Sequence, residues 1–318
     1  MKKFITIFGI TVGVALLVLV LGCIAVSRGT QHGFSVEQLS DETPLMPLSG
    51  IPYCLEVMPG LKLKFDTGAD ISTLTDADAE KLRQAGYEVK EKFGPIGGRD
   101  GYGRTEITAR RYTVTLPVGG YVINADSTGK SSLVYSGSPA ALLHNVDFQK
   151  VESGISTLGL DFLRKFKIEC IYNLQAAMLG STMPQGYQKV IDITRNLHFW
   201  DYLWSPIRSY ITVNVNQNPN IYLIDTGLQR AAVKKPYSQR NRAKGNLHHD
   251  SVKSLVNKYD AWVDEEAWID FGVRSGTKPV HYYDNPEDDY QINPLNVFQQ
   301  DILLDLENAG IYFRPTSY

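Results

Sequence analysis

A chain of 318 residues with 43 % hydrophobic and 21 % charged side chains can bury a core and is long enough for two domains of ordinary size. Thirty-two basic residues against 34 acidic ones give a formal charge of −2, and no basic run exceeds a few residues, which argues against nucleic acid as a partner. His248 and His249 are adjacent and so face apart on a strand or helix, and no other Cys/His spacing suits a metal, so no metal or other cofactor is expected.

Lys2 and Lys3 precede an uncharged apolar stretch from Phe4 to Val26, long enough to cross a bilayer as a helix. Lysines on the short N-terminal side favour an inside N-terminus, which leaves the body outside the cytoplasm, in a periplasm or at a cell surface. Val20-Leu21-Gly22-Cys23 is similar to a lipobox, with Cys23 as the lipidated residue. Leu21 is bulkier than that pattern usually carries and Ile24-Ala25-Val26 continue the apolar run, so an uncleaved membrane anchor over 1–26 is preferred to a lipoprotein signal; a cleaved secretory signal comes third. Residues 27–48, polar and punctuated by Gly29, Gly33, Pro44 and Pro47, read as a tether.

The remainder divides into two similar halves, 49–182 and 207–318, joined by a connector over 183–206. In the first, an apolar run from Tyr53 to Met58, a turn at Pro59-Gly60 and a run from Leu61 to Phe65 lead into Asp66-Thr67-Gly68. In the second, Ile211–Val215, a turn at Asn218-Pro219-Asn220 and Ile221–Ile224 lead into Asp225-Thr226-Gly227. Each half also ends on a predicted hairpin: Ile168–Tyr172 with Ala176–Leu179, and Ile302–Leu306 with Ile311–Phe313. Helical signal is confined to Asp76–Ala85, with its acidic start, Leu160–Phe166 and Ser251–Tyr259. The connector carries Trp200 and Trp204 and is too apolar for a free linker, so it is expected to pack on the lobes. The class is mainly β, with two lobes, each a small closed sheet. Cys54 and Cys170 lie in strand-like runs, where an oxidising compartment allows a disulfide and burial equally allows two free thiols.

Asp and Gly are ordinary turn residues, so one such triplet is unremarkable. At average residue usage a chain this long carries one Asp-Thr-Gly in roughly a tenth of cases and two in well under about one per cent. Two carboxylates at strand ends, each with a glycine two residues on to permit a tight loop, are what is needed to hold one water between them. Asp264-Glu265-Glu266 and Glu287-Asp288-Asp289 read instead as solvated acidic loops.

The first half resembles the retroviral-type aspartic proteases, the retropepsins. Asp66-Thr67-Gly68-Ala69-Asp70-Ile71-Ser72 resembles their active-site loop; Pro95-Ile96-Gly97-Gly98, with Gly101 and Gly103, their flap; and Leu158-Gly159-Leu160-Asp161-Phe162-Leu163 the segment behind the loop, all in the family's order. The resemblance implies two retropepsin-like closed β-barrel lobes forming a pepsin-like pseudo-dimer, and an aspartic-type endopeptidase acting on polypeptide without a cofactor. It implies Asp66 and Asp225 as the catalytic pair, with Thr67, Gly68, Ala69, Thr226 and Gly227 supporting the loops and Asp70, Gly97, Gly98 and Tyr102 binding substrate. A monomer is expected, with a homodimer of first lobes as the second assembly. The second half departs from the pattern: Leu228 and Gln229 follow its triplet, Gly272 and Gly276 are its best flap candidates, and Pro294–Phe298 lacks a glycine. A non-cutting, membrane-anchored peptide-binding module of the same fold is the alternative function.

Overall fold

The computed structural model describes residues 2–29, 33–50, 52–99, 105–195, 208–228, 231–234, 247–253, 258–272, 275–283 and 290–314. The chain is mainly β. A helix runs over Lys2–Gly29, and its described side chains, Ile10 and Leu16 to Leu21 among them, are exposed. Among the described residues no helix is long and apolar enough to cross a membrane. The side chain of Cys23 lies outside the described residues.

The two halves repeat one topology around their triplets. In the first, Leu61–Phe65 runs parallel to Thr157–Leu158, which pairs antiparallel with Thr73–Thr75. That strand runs parallel to Ala141–Val151, followed outward by Thr105–Val118 and Val89–Arg99, both antiparallel. In the second, Asn218–Ile224 runs parallel to Gln291–Ile292, which pairs antiparallel with Ala231–Lys234. Ser275–Tyr283 (parallel), Lys258–Asp270 and Leu247–Lys253 (both antiparallel) then follow in the same order.

Among the described residues the lobes do not form the expected closed barrels. The described strands build one 14-stranded sheet, from which Ser35–Gln38 branches, one 8-stranded sheet, in which Ser209–Val215 also meets Lys258–Asp270 over two residue pairs, and a separate two-stranded ribbon. The terminal hairpins pair across the halves instead. Ile302–Asp305 is buried at all four positions and Lys167–Ile171 at its central three, so each needs cover on both faces. Buried strands must also pair their backbone amides and carbonyls on both edges, and these two do so with each other, Lys167 opposite Asp305 and Cys170 opposite Ile302. Asp305, fully buried within this shared sheet, is ion-paired to Lys167 at 3.0 Å and accepts from the Asn308 backbone and side-chain amides. A single buried apolar cluster runs through both halves, from Phe65, Leu158 and Phe162 to Tyr222, Ile224 and Phe298.

Other local expectations are corrected. Within the expected tether, Ser35–Gln38 and Leu45–Ser49 are strands, because Leu45, Met46 and Leu48 bury their side chains against the first lobe. The expected helix at Ser251–Tyr259 is instead a hairpin in its described part, with Lys253 opposite Lys258 and Ser251 opposite Asp260. Val252 and Tyr259 suit strands, and the second arm gains a further partner in Ser275–Tyr283, which overrides a weak helical pattern. The second-half turn sits at Asn216-Gln217, both in the left-handed region (φ 49° and 65°), as a two-residue hairpin loop requires, and Asn218 to Asn220 belong to the following strand. In the connector, Gln188–Asp192 pairs with Gly310–Phe313 and Thr194–Arg195 with Ser209 and Tyr210; Trp200 and Trp204 lie outside the described residues.

Asp76–Gln84 is helical as the sequence suggests. Thr75 caps it by accepting from the Asp78 amide, and Ala79 and Leu82 face the core. Leu160–Leu163 forms a single helical turn. Cys54 and Cys170 are both free thiols, and burial pushes each upward from the usual thiol range, which leaves them unreactive.

Candidate active site

The repeated topology brings the two triplets face to face. Each aspartate ends a strand and is anchored the same way: the Asp66 amide donates to Leu158 O at 3.1 Å, and the Asp225 amide to Ile292 O at 2.9 Å. Asp66 Oδ1 accepts from the amides of Gly68 (2.9 Å) and Ala69 (3.2 Å), and Asp225 Oδ1 from that of Gly227 (2.8 Å). Both carboxylates are buried, at 6 % and 5 % exposed, and lie close enough for each to act on the other's ionisation. Each lies over the other loop's glycine. A Cβ on Gly68 would stand 2.3 Å from the Asp225 carboxyl carbon, and one on Gly227 would stand 2.5 Å from that of Asp66. Glycine at both positions is therefore a condition for the carboxylates to meet.

The threonines brace this contact reciprocally. The Thr67 amide donates to Thr226 Oγ1 and the Thr226 amide to Thr67 Oγ1, both at 3.0 Å. The Thr67 hydroxyl then donates to Ile224 O at 2.8 Å and the Thr226 hydroxyl to Phe65 O at 2.9 Å. Both residues are fully buried, so the four bonds work without competition from water.

Support behind the loops differs between the halves. In the first, the amides of Leu160 and Asp161 donate to Ala69 O and Asp70 O, and the Gly159 amide donates to Ser72 Oγ. Asp161 Oδ1 accepts from Ser72 N and Oγ; burial pushes this carboxyl up to about 7 against the Ser72 and Phe162 hydrogen bonds that pull it down. In the second half the Asn293 side-chain amide donates to Thr226 O (2.9 Å) and Leu228 O (2.6 Å), and Asn296 Nδ2 also donates to Leu228 O. Asn293 further caps the helix Pro294–Phe298. A side-chain amide thus does in this half what backbone amides do in the first, and the missing glycine is accommodated.

Gly159 itself is sterically required. A Cβ there would stand 2.6 Å from Ile71 C and 2.9 Å from Ala69 O, both backbone atoms of the active-site loop. Gly159→Ala is expected to lower stability by about 1–3 kcal/mol, the usual cost of overpacking, read as a reduced urea midpoint at unchanged slope.

The remaining candidates fall in different places. Asp70 is buried with Oδ1 accepting from Arg208 Nε at 3.2 Å, so its carboxylate is engaged with the start of the second half. Gly97 and Gly98 lie opposite Ile107 and Glu106 in the hairpin of Val89–Arg99 with Thr105–Val118. The tip of that hairpin, with Gly101, Tyr102 and Gly103, lies outside the described residues, as does Gln229. Leu228 is buried beside its loop. The topological counterpart of the first flap is the hairpin Leu247–Lys253/Lys258–Asp270, not the segment with Gly272 and Gly276, which joins Lys258–Asp270 to Ser275–Tyr283. Asp264-Glu265-Glu266 sit on a bulge of that strand rather than in a loop, and Glu287-Asp288-Asp289 are outside the described residues.

Four residues of the site were not singled out in the sequence. Arg208 is fully buried, and Asn293 and Asn296 hold the second loop. The only local signal for Asn293 is its place before Pro294 at a helix start. The fourth is Lys64, whose Nζ lies 2.6 Å from Asp66 Oδ2. Burial pushes the Asp66 carboxyl up, but the Lys64 charge and hydrogen bond outweigh it and hold Asp66 below the usual carboxylate range. Burial and then the Asp66 charge push Asp225 well above that range, with Lys64 opposing. The pair is therefore one carboxylate and one carboxylic acid, able to accept a proton at one oxygen and donate one at another.

No protein-family model matches this chain, and no curated protein matches it.

Proposed function

We propose that this protein is an aspartic endopeptidase, retropepsin-like in each half and pepsin-like in its single-chain assembly. The observation that carries the reading is the pair of buried carboxylates, one from each half, each seated over the other's glycine and braced by reciprocal threonines. A water held between them loses a proton to Asp66 as its oxygen bonds to the peptide carbonyl carbon, and Asp225 gives its proton to the carbonyl oxygen. Collapse of the tetrahedral intermediate breaks the C–N bond as one of its hydroxyls returns a proton to Asp225 and the proton held by Asp66 passes to the leaving amine. No covalent enzyme intermediate is needed. An extended polypeptide is the substrate class, lying across both halves beneath the hairpin that carries Gly97 and Gly98.

The working unit is a monomer, because both carboxylates come from one chain and their loops are interlocked. The apolar run over 1–26 supports attachment to a membrane with the body outside the cytoplasm, by an uncleaved helix or a lipid on Cys23. The test is incubation of the full chain with a peptide library and mass-spectrometric detection of new termini. Cleavage blocked by pepstatin and absent in Asp66→Asn is the expected result. Peptide binding without new termini at any pH would replace the endopeptidase with the non-cutting module.

A further inference from the structure

Two carboxylates built from the same tripeptide are made unequal by what surrounds them, and the strand before the first triplet supplies one such asymmetry. Lys64 stands two residues before Asp66, so the two side chains leave the same face of the strand. The loop amides of Gly68 and Ala69 both use Asp66 Oδ1, and the Lys64 ammonium takes Oδ2 at 2.6 Å. At the corresponding position before Asp225 stands Leu223, fully buried and apolar. Among the described residues, the strand leading into the triplet therefore places a cation beside the pair in the first half and an apolar side chain in the second.

We propose that Lys64 is a positioning residue that polarises the pair: it keeps Asp66 ionised, leaves the shared proton on Asp225, and sets the working range lower in pH than the same pair would have without it. The polarity belongs to the folded protein; its kinetic consequence rests on the endopeptidase reading. The groups acting on the ammonium are Asp66, Asp225 from the opposite loop, and Cys54 on the adjacent antiparallel strand. Burial raises the Cys54 thiol, so it stays neutral through the acid range. Burial alone would lower Lys64, but the two carboxyls outweigh it and raise it, so the ammonium persists wherever the pair works. A cation draws both carboxyls down. Its removal must therefore move both upward, and with them both limbs of the activity profile.

The experiment is a carboxyl 13C titration of the full chain labelled at aspartate, in wild type, Lys64→Met and Lys64→Arg, with Asp66→Asn and Asp225→Asn to assign the signals. In wild type, Asp66 is expected to titrate below the usual carboxylate range and Asp225 above it. Lys64→Met should raise Asp66 by about one unit or more, the effect of removing an adjacent opposite charge, and Lys64→Arg should leave it near wild type. A structural role for the side chain would not produce this pattern. An Asp66 signal that titrates alike in wild type and Lys64→Met, or a wild type in which Asp225 is the lower of the two, overturns the proposal. Should Lys64→Met not fold, Lys64→Gln takes its place. The pH profile of kcat/KM on a cleaved library peptide separates the two readings. An acid limb that rises in Lys64→Met and not in Lys64→Arg supports the polarity. Cleavage with unmoved limbs defeats the polarity and spares the endopeptidase, and the titration pattern without cleavage at any pH does the reverse.

Discussion

Asp66→Asn and Asp225→Asn are each expected to lower kcat/KM on a cleaved peptide by about a thousandfold or more, since each removes one half of a paired acid–base unit. Mixing the two variants should restore nothing. Each loop's glycine is seated against the other half's carboxylate and each threonine is bonded into the opposite loop of the same chain, so every molecule in the mixture holds one defective pair. Activity should also be independent of protein concentration. An Asp225→Asn variant that keeps wild-type turnover, or a mixture that recovers it, would show that first halves pair between chains. The two variants should differ in stability. Asp66→Asn leaves the Lys64 ammonium beside a neutral amide in a largely buried position, and loss of a hydrogen bond between charged groups costs about 1.5–3 kcal/mol. Asp225→Asn replaces a proton-bearing carboxyl by an amide of similar shape and should change the melting temperature little. Differential scanning calorimetry of the two proteins reads this order directly.

Thr226→Val is expected to destabilise the protein by about 2–5 kcal/mol and to reduce turnover sharply. Valine keeps the shape of threonine but strips Thr67 N–H of its acceptor and Phe65 C=O of its donor, and an unmade bond at a buried group costs about 1–3 kcal/mol. Thr67→Val does the same to Thr226 N–H and Ile224 C=O. Combining the two should cost less than the sum of the singles, because both act on one junction. Thr226→Ser keeps the hydroxyl and should stay much closer to wild type in both stability and rate. Urea unfolding paired with kcat/KM on the same preparations tests this. A Thr226→Val protein with unchanged midpoint and unchanged kcat/KM would mean that the threonine brace holds nothing together.

The residues by themselves determined the mainly β class, the two repeated halves, the hairpins around Pro59-Gly60 and at the end of each half, the helix over Asp76–Gln84 and the two triplets as the candidate site. These are local matters. Alternation of side chains, a capping threonine and a glycine two residues after an aspartate all act within a few positions, and a linear reading can see them. What lies across the halves was decided only by the tertiary structure. Ile302–Asp305 pairs with Lys167–Ile171 of the other half because a buried strand must satisfy its backbone amides and carbonyls on both edges, and nothing in either sequence names the other. Met46 and Leu48 turn an expected tether into a strand for the same reason. Arg208 and Asp70 meet only once the lobes have docked. Asn293 supplies hydrogen bonds for which the sequence suggested a missing glycine, because its side-chain amide reaches the Leu228 carbonyl, the counterpart of the Ala69 carbonyl that a backbone amide reaches in the first half, and the Thr226 carbonyl beside it. The difference between the two aspartates is of the same kind. Their triplets are identical in sequence, and a lysine two residues upstream becomes a charge partner only when the strand places both side chains on one buried face, where little water remains to screen the attraction.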